Sequence, residues 1–222
     1  MTHPLTMTNV GLTLSSTSGP VEILRGVDFS CAAGESVAII GPSGSGKSSL
    51  ISIGAGLERA TSGDVELLGQ TLAGLNEDAL ARLRRGRVSM VFQSFHLLPT
   101  MTALDNVRAA LEIAAMDDAL DRAKEALQSV ELSDRLEHYP GQMSGGERQR
   151  VAVARALACD PELVFADEPT GNLDSKTGAA VADLLFKIAS DRGATLAIVT
   201  HDEGLASRAD RTVRMLDGQL YE

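Results

Sequence analysis

One stretch of the chain limits its fold more than any other: Gly41-Pro42-Ser43-Gly44-Ser45-Gly46-Lys47-Ser48-Ser49. It follows the apolar run 36–40 and precedes a helical pattern that begins at Ser48. Glycines at this spacing let the backbone bend around an anion with no Cβ in the way, so that backbone N–H groups point into a concavity. A helix that starts at the bend adds unpaired N–H groups and the positive end of its dipole. The stretch predicts a phosphate-binding loop between a buried parallel strand and a helix.

Two side chains of this loop have predicted roles. Lys47 is expected to reach the β- and γ-phosphates of a nucleotide, and Ser48 is expected to hold Mg²⁺. The alternative, for the loop alone, is a glycine- and serine-rich turn that happens to contain a lysine. A second motif is therefore needed to decide.

The second motif is an acid pair at the end of a short apolar run. Residues 163–166 are apolar, and Asp167 and Glu168 follow directly. A strand that ends there places the Asp167 carboxylate beside the loop, where a phosphate-bound Mg²⁺ needs an oxygen ligand. Glu168 is placed to orient an attacking water or to accept its proton. A purely structural acid pair is the alternative, but the two motifs together require the same fold and ligand.

Composition and charge narrow the function classes. The 222 residues are 44% hydrophobic and 23% charged, which predicts one large α/β domain with a substantial core. The net charge of −10 argues against nucleic-acid binding through a basic face. Cys31 and Cys159 have no metal-ligand spacing and make no disulfide framework, which favours a reducing cytosol. No apolar run approaches the ~20 residues that span a membrane and no signal peptide is evident, so any membrane role must come through a partner.

Apolar periodicity and turn residues predict most of the secondary structure. The predicted strands are 10–16, 23–31, 37–40, 63–69, 88–92, 163–166 and 196–200, with a turn at 15–20 and a terminal hairpin over 211–221. The predicted helices are 48–57, 76–85, 102–129 with a break near 116–117, 144–159 and 178–190. Asn76 and Thr102 are expected helix caps, and Ser144 with Glu147 suits a capping box.

A basic cluster follows the second predicted helix. Arg82, Arg84, Arg85 and Arg87 fit a solvated helix end that the helix dipole favours. A contact with lipid headgroups or with a partner protein stays open as the alternative.

A third motif points to a family. Met143-Ser144-Gly145-Gly146-Glu147-Arg148-Gln149-Arg150 resembles the signature motif of ABC-type ATPases. Gln93 at a strand end, Gly171-Asn172-Leu173-Asp174 after the acid pair, and His201 after the last core strand match other motifs of that family in the same order. The resemblance covers nearly the whole chain. Residues 92–99, 102–107 and 166–174 most resemble ATPases of the lipoprotein-release (LolD) and macrolide-export (MacB) type, and 92–99 and 183–186 also resemble the YbbA branch.

The resemblance implies roles that spacing alone does not give. Such ATPases form head-to-tail dimers, in which each ATP lies between one copy's phosphate loop and the other copy's signature motif. Ser144, Gly145 and Gly146 would then meet the γ-phosphate of the other copy's ATP from a helix N-terminus, and Asp174 would order the dimer seam.

The resemblance also implies a catalytic set. His201 would touch the γ-phosphate, Gln93 would sense Mg²⁺ and water, and Glu168 would be the catalytic base. ATP and Mg²⁺ are the implied cofactors.

Two departures from the family pattern are visible. The family commonly stacks an aromatic side chain on adenine from the first strand region, yet no aromatic residue lies between Met1 and Glu22, and the corresponding place falls near Leu14. We therefore expect weaker affinity or less base selectivity. The signature has Met143 and Glu147 where Leu and Gln are commoner, and we expect the Glu147 side chain to point away from the phosphates.

The prediction as a whole is an α/β P-loop NTPase with a RecA-like core. It has an N-terminal antiparallel β region and an α-helical subdomain, residues 97–139, inserted within a single ATPase domain, residues 1–222. The resemblance implies an ATP-hydrolysing subunit that pairs with a second copy of itself and drives a separate integral-membrane permease, with residues 93–99 and the helical subdomain as the coupling surface. It would be cytoplasmic and peripheral on the inner face of the cell membrane, with no nucleic-acid partner.

Two rival functions remain. A partner of a cell-division-type permease would use hydrolysis for signalling, and the sequence does not separate that role from export or lipoprotein extraction. A soluble ATP-switched module acting on DNA, ribosomes or a scaffold predicts a fused second ATPase domain, a coiled coil or a basic face, and the sequence shows none of these.

Overall fold

The computed structural model describes residues 3–17 and 19–221. Its internal contacts divide the chain into two compact units. One unit contains the residues up to Arg84 together with those from Thr195 onward, and the other runs from Arg85 to Ala194.

The described residues form strands and helices that alternate through most of the chain. In chain order they are β1 (Leu5–Ser16), β2 (Gly19–Cys31), β3 (Ser36–Ile40), α1 (Lys47–Gly54), β4 (Ser62–Leu67), β5 (Gln70–Thr71), α2 (Glu77–Arg84), β6 (Val88–Phe92), α3 (Ala103–Ile113), α4 (Ala119–Ser129), α5 (Gly145–Leu157), β7 (Leu163–Asp167), α6 (Ser175–Asp191), β8 (Thr195–Thr200), α7 (Glu203–Ala206), β9 (Arg211–Leu216) and β10 (Gln219–Tyr221). Two 3-10 turns, Ser133–Arg135 and Pro140–Gln142, precede α5.

An antiparallel sheet occupies part of the first unit, with the strand order β2-β1-β4-β5. The predicted strands are present, but β1 and β2 begin at Leu5 and Gly19, several residues before the predicted starts. The extension of β1 is explained by alternation, because Leu5 and Met7 are buried while the threonines between and after them are more exposed. Residue 18 of the predicted turn lies outside the described residues.

The same unit contains the buried parallel strand that leads into the glycine-rich loop. Strand β3 pairs in parallel with β8 on one side and β9 on the other. Val37, Ala38 and Ile39 are 0% exposed, as expected for a strand covered on both faces. The predicted terminal hairpin is confirmed: β9 and β10 are antiparallel, and Asp217 and Gly218 between them both have positive φ, which a tight hairpin turn requires.

The second unit pairs β6 with β7 in parallel and also contains α3 to α6, of which α5 packs against β6. The predicted break in the long helical pattern is confirmed, since α3 ends at Ile113 and α4 begins at Ala119. Ala115 and Asp118 in that break have left-handed backbone conformations, which end a helix. Helices α3 and α4 lie within residues 97–139, and the subdomain bounds remain a prediction.

Polar side chains cap the N-termini of three helices in this unit. Thr102 accepts a hydrogen bond from the N–H of Asp105 at 3.1 Å, and Ser144 with Glu147 forms the predicted capping box at α5. Asp174 caps α6 through the N–H of Thr177, so this helix begins at Ser175, three residues before the predicted start. Each cap satisfies an N–H that has no partner within its helix.

The four arginines of the basic cluster differ in their contacts. Arg84 donates to the backbone oxygen of Gly56, and Arg87 forms an ion pair with Glu162 at 2.6 Å. Arg82 and Arg85 are exposed. Among the described residues, no helix combines the length and the apolar character that crossing a membrane demands.

Candidate nucleotide-binding site

The glycine-rich loop is shaped by two positions where a side chain would not fit. A Cβ at Gly41 would lie 2.1 Å from the backbone oxygen of Met215. A Cβ at Gly46, where φ is +104°, would lie 2.9 Å from the backbone oxygen of Ile23. Both glycines are therefore required by close backbone approach, and they leave a concave backbone surface.

The start of α1 is suited to an anion. Helix α1 begins at Lys47, has no acidic residue in its first turn, and receives no side-chain cap from Gly46. Its first N–H groups are therefore not capped from that position and can bind an incoming phosphate. The hydroxyl oxygen of Ser45 is buried without a hydrogen-bond partner, which also favours a ligand at this place.

Lys47 lies folded over the loop. Its Nζ donates to the backbone oxygens of Gly41 at 2.9 Å and Pro42 at 2.8 Å, and the residue is 7% exposed. An ammonium held there by carbonyl oxygens can exchange them for the stronger acceptors of a phosphate group. Ser43, Gly44 and Ser48 are exposed around it, and Ser49 is half-buried.

His201 lies on the same side of this unit as the loop. It is the first residue after β8 and is exposed. Together with Gly41, Pro42 and Arg214 it lines a cleft of about 270 Å³. The structure therefore places His201 and the start of the glycine-rich loop on one cleft, and the contact of His201 with a γ-phosphate stays a prediction.

In the second unit, Gln93 contacts the segment that follows the acid pair. Asn172 Nδ2 donates to the backbone oxygen of Gln93 at 2.8 Å, and Gln93 Nε2 lies 2.8 Å from the place that a Cβ would take at Gly171. The N–H of Gly171 donates to the backbone oxygen of Glu168 at 3.0 Å. Asp167 ends β7, and both acids are half-buried.

The signature residues lie at the start of α5 and pack against the beginning of α6. Gly146 is buried, and a Cβ there would lie 2.4 Å from Thr177 Cγ2. Gly145 leaves 3.4 Å between such an atom and Leu173 Cδ2. Ser144 and Asp174 are exposed. The structure thus gathers Ser144, Gly145, Gly146 and Asp174 around one helix–helix contact.

Glu147 turns back onto the helix start. Its Oε2 accepts hydrogen bonds from the backbone N–H and the hydroxyl of Ser144, both at 2.8 Å, and its Oε1 accepts one from Arg135 Nε at 2.9 Å. The Ser144 N–H, the Arg135 side chain and the Ser144 hydroxyl lower the pKa of Glu147 to about 2. The side chain therefore engages the signature serine directly, as the predicted capping box requires. The sequence did not predict the additional hydrogen bonds from the Ser144 hydroxyl and from Arg135.

The loop after Gln93 is held by the signature helix. Arg155 donates to the backbone oxygens of Phe95 at 2.9 Å and His96 at 2.6 Å. Arg148 lies over the Phe95 ring, 5.0 Å from its centroid. Phe95 and His96 both have positive φ, a conformation that bulky residues adopt only when their surroundings hold them in it.

The sequence did not indicate the contacts that Arg135, Arg155 and Asn172 make. Asn172 lies two residues before Asp174, within the motif that carried the family resemblance. The motif indicates the position of Asn172 but not its contact with Gln93. The other two contact residues that are 12 to 60 positions away, and no local pattern indicates such pairs.

The strand position expected to carry an adenine-stacking aromatic is aliphatic. Leu14 is 44% exposed on β1 and lies opposite Val21 of β2, which is 43% exposed. Two exposed aliphatic side chains on one face give a base an apolar surface without a ring to stack on.

Among the residues that the structure describes, no three His, Cys, Asp or Glu side chains are grouped to hold a metal. This does not conflict with the predicted Mg²⁺ ligands, because Mg²⁺ in nucleotide sites is bound by one or two carboxylates together with substrate phosphates.

Comparison with known proteins identifies the family. Residues 24–171 match the family model described as ABC transporter. The chain is 50% identical over 204 residues to the uncharacterised ABC transporter ATP-binding protein YbbA of Escherichia coli K12, covering 91% of this chain and 90% of YbbA. It is 49% identical over 202 residues to the lipoprotein-releasing system ATP-binding protein LolD of Geobacter metallireducens, covering 90% of each.

A longer relative matches over one part only. The macrolide export ATP-binding/permease protein MacB of Shigella flexneri is 46% identical over 202 residues, which is 90% of this chain and 31% of MacB.

The fold agrees with a solved structure. The dimeric, post-hydrolysis ATP-binding cassette MJ0796 bound to ADP and Pi superposes with a TM-score of 0.91 at 38% identity, covering 98% of this chain and 97% of that one. This confirms the predicted α/β P-loop NTPase fold. The chain therefore belongs to the ABC transporter family, as an ATP-hydrolysing ATP-binding subunit of the type that LolD and MacB represent.

Proposed function

We propose that two copies of this chain close on ATP and, through repeated hydrolysis, drive a membrane permease in export, in lipoprotein or lipid extraction, or in transmission of force. The observation that carries the proposal is the glycine-rich loop. There, Gly41 admits no Cβ, Lys47 lies over the loop carbonyls, and α1 begins without an acidic residue. This combination of a backbone concavity, a lysine ammonium and a helix N-terminus binds phosphate groups.

The nucleotide is held by the loop residues. Backbone N–H groups of the loop residues 41–49, all except Pro42, and the Lys47 ammonium bind the β- and γ-phosphates. For Mg²⁺ we propose the side-chain oxygens of Ser48, Gln93 and Asp167, the donor type that this hard cation prefers. When bound, the ion supplies positive charge that offsets the charge of the phosphates.

Hydrolysis needs a base and donors for the γ-phosphate. Glu168 accepts a proton from the attacking water, whose oxygen bonds to the γ-phosphorus while the bond to the bridging oxygen breaks, giving ADP and phosphate. His201 donates a hydrogen bond to the γ-phosphate. From the second copy, Ser144, Gly145 and Gly146 contribute hydrogen-bond donors at a helix N-terminus, and Asp174 orders the seam.

Two relatives support the quaternary proposals. MJ0796 is described as a dimeric cassette with ADP and Pi bound, which supports pairing of two copies around nucleotide. MacB is named as an ATP-binding/permease protein, and this chain matches 31% of it, which supports a cassette that works on a permease portion. We place the chain at the cytoplasmic face of the cell membrane through that permease, and we propose residues 93–99 with the helical subdomain 97–139 as the coupling surface.

Within residues 93–99 of the proposed coupling surface, the backbone of Leu98 is held by Asn106. Leu98 is 49% exposed. Its N–H donates to Asn106 Oδ1 at 2.7 Å, and its backbone oxygen accepts from Asn106 Nδ2 at 3.1 Å. An apolar side chain on a loop held in this way can transmit a displacement to a partner instead of absorbing it.

The decisive test of the mechanism is Glu168→Gln. The variant keeps the shape of the side chain and removes only the base, so we expect ATP binding as in the wild type, hydrolysis slower by about 10²–10⁴-fold, and accumulation of an ATP-bound dimer in size-exclusion chromatography with light scattering. Glu162→Gln, an exposed acid just before β7, is the matched control and should hydrolyse ATP normally. Turnover of Glu168→Gln at the wild-type rate would show that Glu168 is not the base.

The permease is identified by capture. Tagged Glu168→Gln protein is purified from detergent-solubilised membranes with Mg-ATP, and the bound proteins are found by mass spectrometry. We expect one integral-membrane permease. Recovery of soluble proteins alone would favour a soluble ATP-switched module instead.

A further inference from the structure

The start of α5 holds a negative charge at the place where the proposed function needs to receive a phosphate. Glu147 Oε2 lies 2.8 Å from both the backbone nitrogen and the hydroxyl oxygen of Ser144. The Ser144 hydroxyl therefore donates its hydrogen to a carboxylate. An incoming γ-phosphate and Glu147 are two anions that require the same donor.

Arg135 is the cation that faces this carboxylate. Its Nε lies 2.9 Å from Glu147 Oε1, on the oxygen that Ser144 does not use. The Arg135 side chain is 44% exposed and the Glu147 side chain 20% exposed. The ion pair is therefore partly shielded from water, where charges interact more strongly than at a fully exposed surface.

The arginine is presented from a fixed segment. Arg135 ends the 3-10 turn Ser133–Arg135. Just after it, the backbone oxygens of Leu136 and His138 accept hydrogen bonds from the N–H groups of Leu104 at 3.0 Å and Ala103 at 2.9 Å, at the start of α3. Because this segment is tied to a helix, the guanidinium is positioned by the fold and does not depend on a mobile loop.

We propose that Arg135 is a positioning residue of the signature motif. It neutralises the Glu147 carboxylate and stays as its partner when the Ser144 hydroxyl and the α5 N-terminus turn to the γ-phosphate of ATP bound by a second copy. The inference rests on the proposed function. It predicts that Arg135 lowers the ATP concentration needed for dimer closure only while residue 147 carries a negative charge. With a neutral residue at position 147, no carboxylate competes with the phosphate for Ser144, and Arg135 has no negative charge to neutralise.

The test is a double-mutant cycle in the Glu168→Gln background, where the ATP-bound dimer accumulates. The proteins are the parent, Arg135→Gln, Glu147→Gln and the double variant. The measured quantity is the ATP concentration that gives half-maximal dimer by light scattering. We expect Arg135→Gln to raise it about tenfold, which corresponds to the loss of one partly shielded charge interaction, and the double variant to match Glu147→Gln within about twofold.

Three measurements separate this role from a merely structural one. Arg135→Lys keeps the charge and should restore closure to near the parent value. In 1 M NaCl, where the screening length falls to about 3 Å, the difference between the parent and Arg135→Gln should shrink. ATP binding to each monomer, measured by calorimetry below the dimerisation range, should be unchanged.

The control variant removes a comparable ion pair elsewhere. Arg87 Nε and Glu162 Oε1 lie 2.6 Å apart, and the Arg87 side chain is 45% exposed, close to the 44% of Arg135, whereas the Glu162 side chain is 53% exposed. Arg87→Gln should leave closure unchanged. A shift as large as that of Arg135→Gln would mean that loss of any such ion pair weakens the dimer, and the specific role would be wrong.

The two proposals fail in different ways. If the parent forms no dimer with ATP, the proposed function fails and the inference falls with it. If the parent closes and Arg135→Gln closes at the same ATP concentration, only the inference fails. An equal effect of Arg135→Gln in the parent and in the Glu147→Gln variant would also overturn it, because a structural contribution does not depend on the charge at residue 147.

Discussion

Asn172 and Gln93 are joined by two contacts across 79 positions of the chain. Asn172 Nδ2 donates to the backbone oxygen of Gln93 at 2.8 Å, and Gln93 Nε2 lies 3.3 Å from Asn172 Oδ1. The pair connects the loop after β6 with the loop after β7. Asn172 therefore fixes the position of the Gln93 side chain, which we propose binds Mg²⁺ and contacts the attacking water.

We expect Asn172→Ala to lower kcat by about three- to tenfold, since a lost hydrogen bond of this kind contributes about 0.5–1.5 kcal/mol. The Mg²⁺ concentration for half-maximal activity should rise, whereas ATP binding should change little. The measurement is steady-state ATPase activity over a Mg²⁺ titration. Asn76→Ala, which removes a helix cap at α2, is the control. An unchanged Mg²⁺ dependence would show that Asn172 does not act through Gln93.

Lys47→Ala should abolish most nucleotide affinity. The ammonium is held over the loop by Gly41 and Pro42, and charge-assisted bonds of this type contribute about 1.5–3 kcal/mol each. We expect the Kd for ATP, measured by calorimetry, to rise at least about 30-fold. Lys187→Ala, an exposed lysine on α6, should bind ATP normally. Unchanged binding by Lys47→Ala would contradict the role of the loop.

Gly146→Ala should destabilise the signature motif by overpacking. The added Cβ would lie 2.4 Å from Thr177 Cγ2, and forcing such contacts typically costs about 1–3 kcal/mol. Thermal unfolding should show a lower Tm, and Thr177→Ser in the same protein should recover much of it by removing the methyl group. A Tm equal to that of the wild type would mean that α5 and α6 shift apart easily.

Leu14→Tyr should tighten nucleotide binding by roughly 1 kcal/mol, or about fivefold in Kd, because a ring can stack on adenine where the exposed leucine cannot. The gain should be larger for ATP than for GTP. Leu120→Tyr, at an equally exposed leucine of α4, controls for added apolar surface. No gain, or a loss, would show that the base is held elsewhere.

The elements that local patterns predicted share a physical reason. The run that became β3 is apolar because it is covered on both faces, and the capping boxes depend on residues three positions apart. The start of α6 was missed because residues 175–177 are polar and carry no apolar periodicity, whereas Asp174 alone begins the helix. Contacts such as Gln93 with Asn172 or Arg155 with Phe95 are set by the tertiary fold, and the sequence contains the residues but not their pairing.

The acid titration of Glu147 gives the last prediction. Its hydrogen bonds lower its pKa in the folded protein from the ordinary 4.5 to about 2. The folded protein therefore binds fewer protons here than the unfolded chain. The stabilising contribution is complete above pH 4.5 and is lost as the pH falls toward 2. The pKa values of Glu35, Asp174 and Asp210 are lowered too, so the whole protein loses stability in acid, and only a comparison between variants isolates Glu147.

We therefore expect the difference in Tm between the wild type and Glu147→Gln to be constant from pH 6 to 8 and to shrink progressively below pH 4.5. Differential scanning calorimetry of both proteins across this range measures it. Glu125→Gln, at an exposed acid of α4, provides the control. A difference that stays constant down to pH 3 would mean that the carboxylate charge of Glu147 adds no stability to the start of α5, and that the Arg135 contact is one of hydrogen bonding alone.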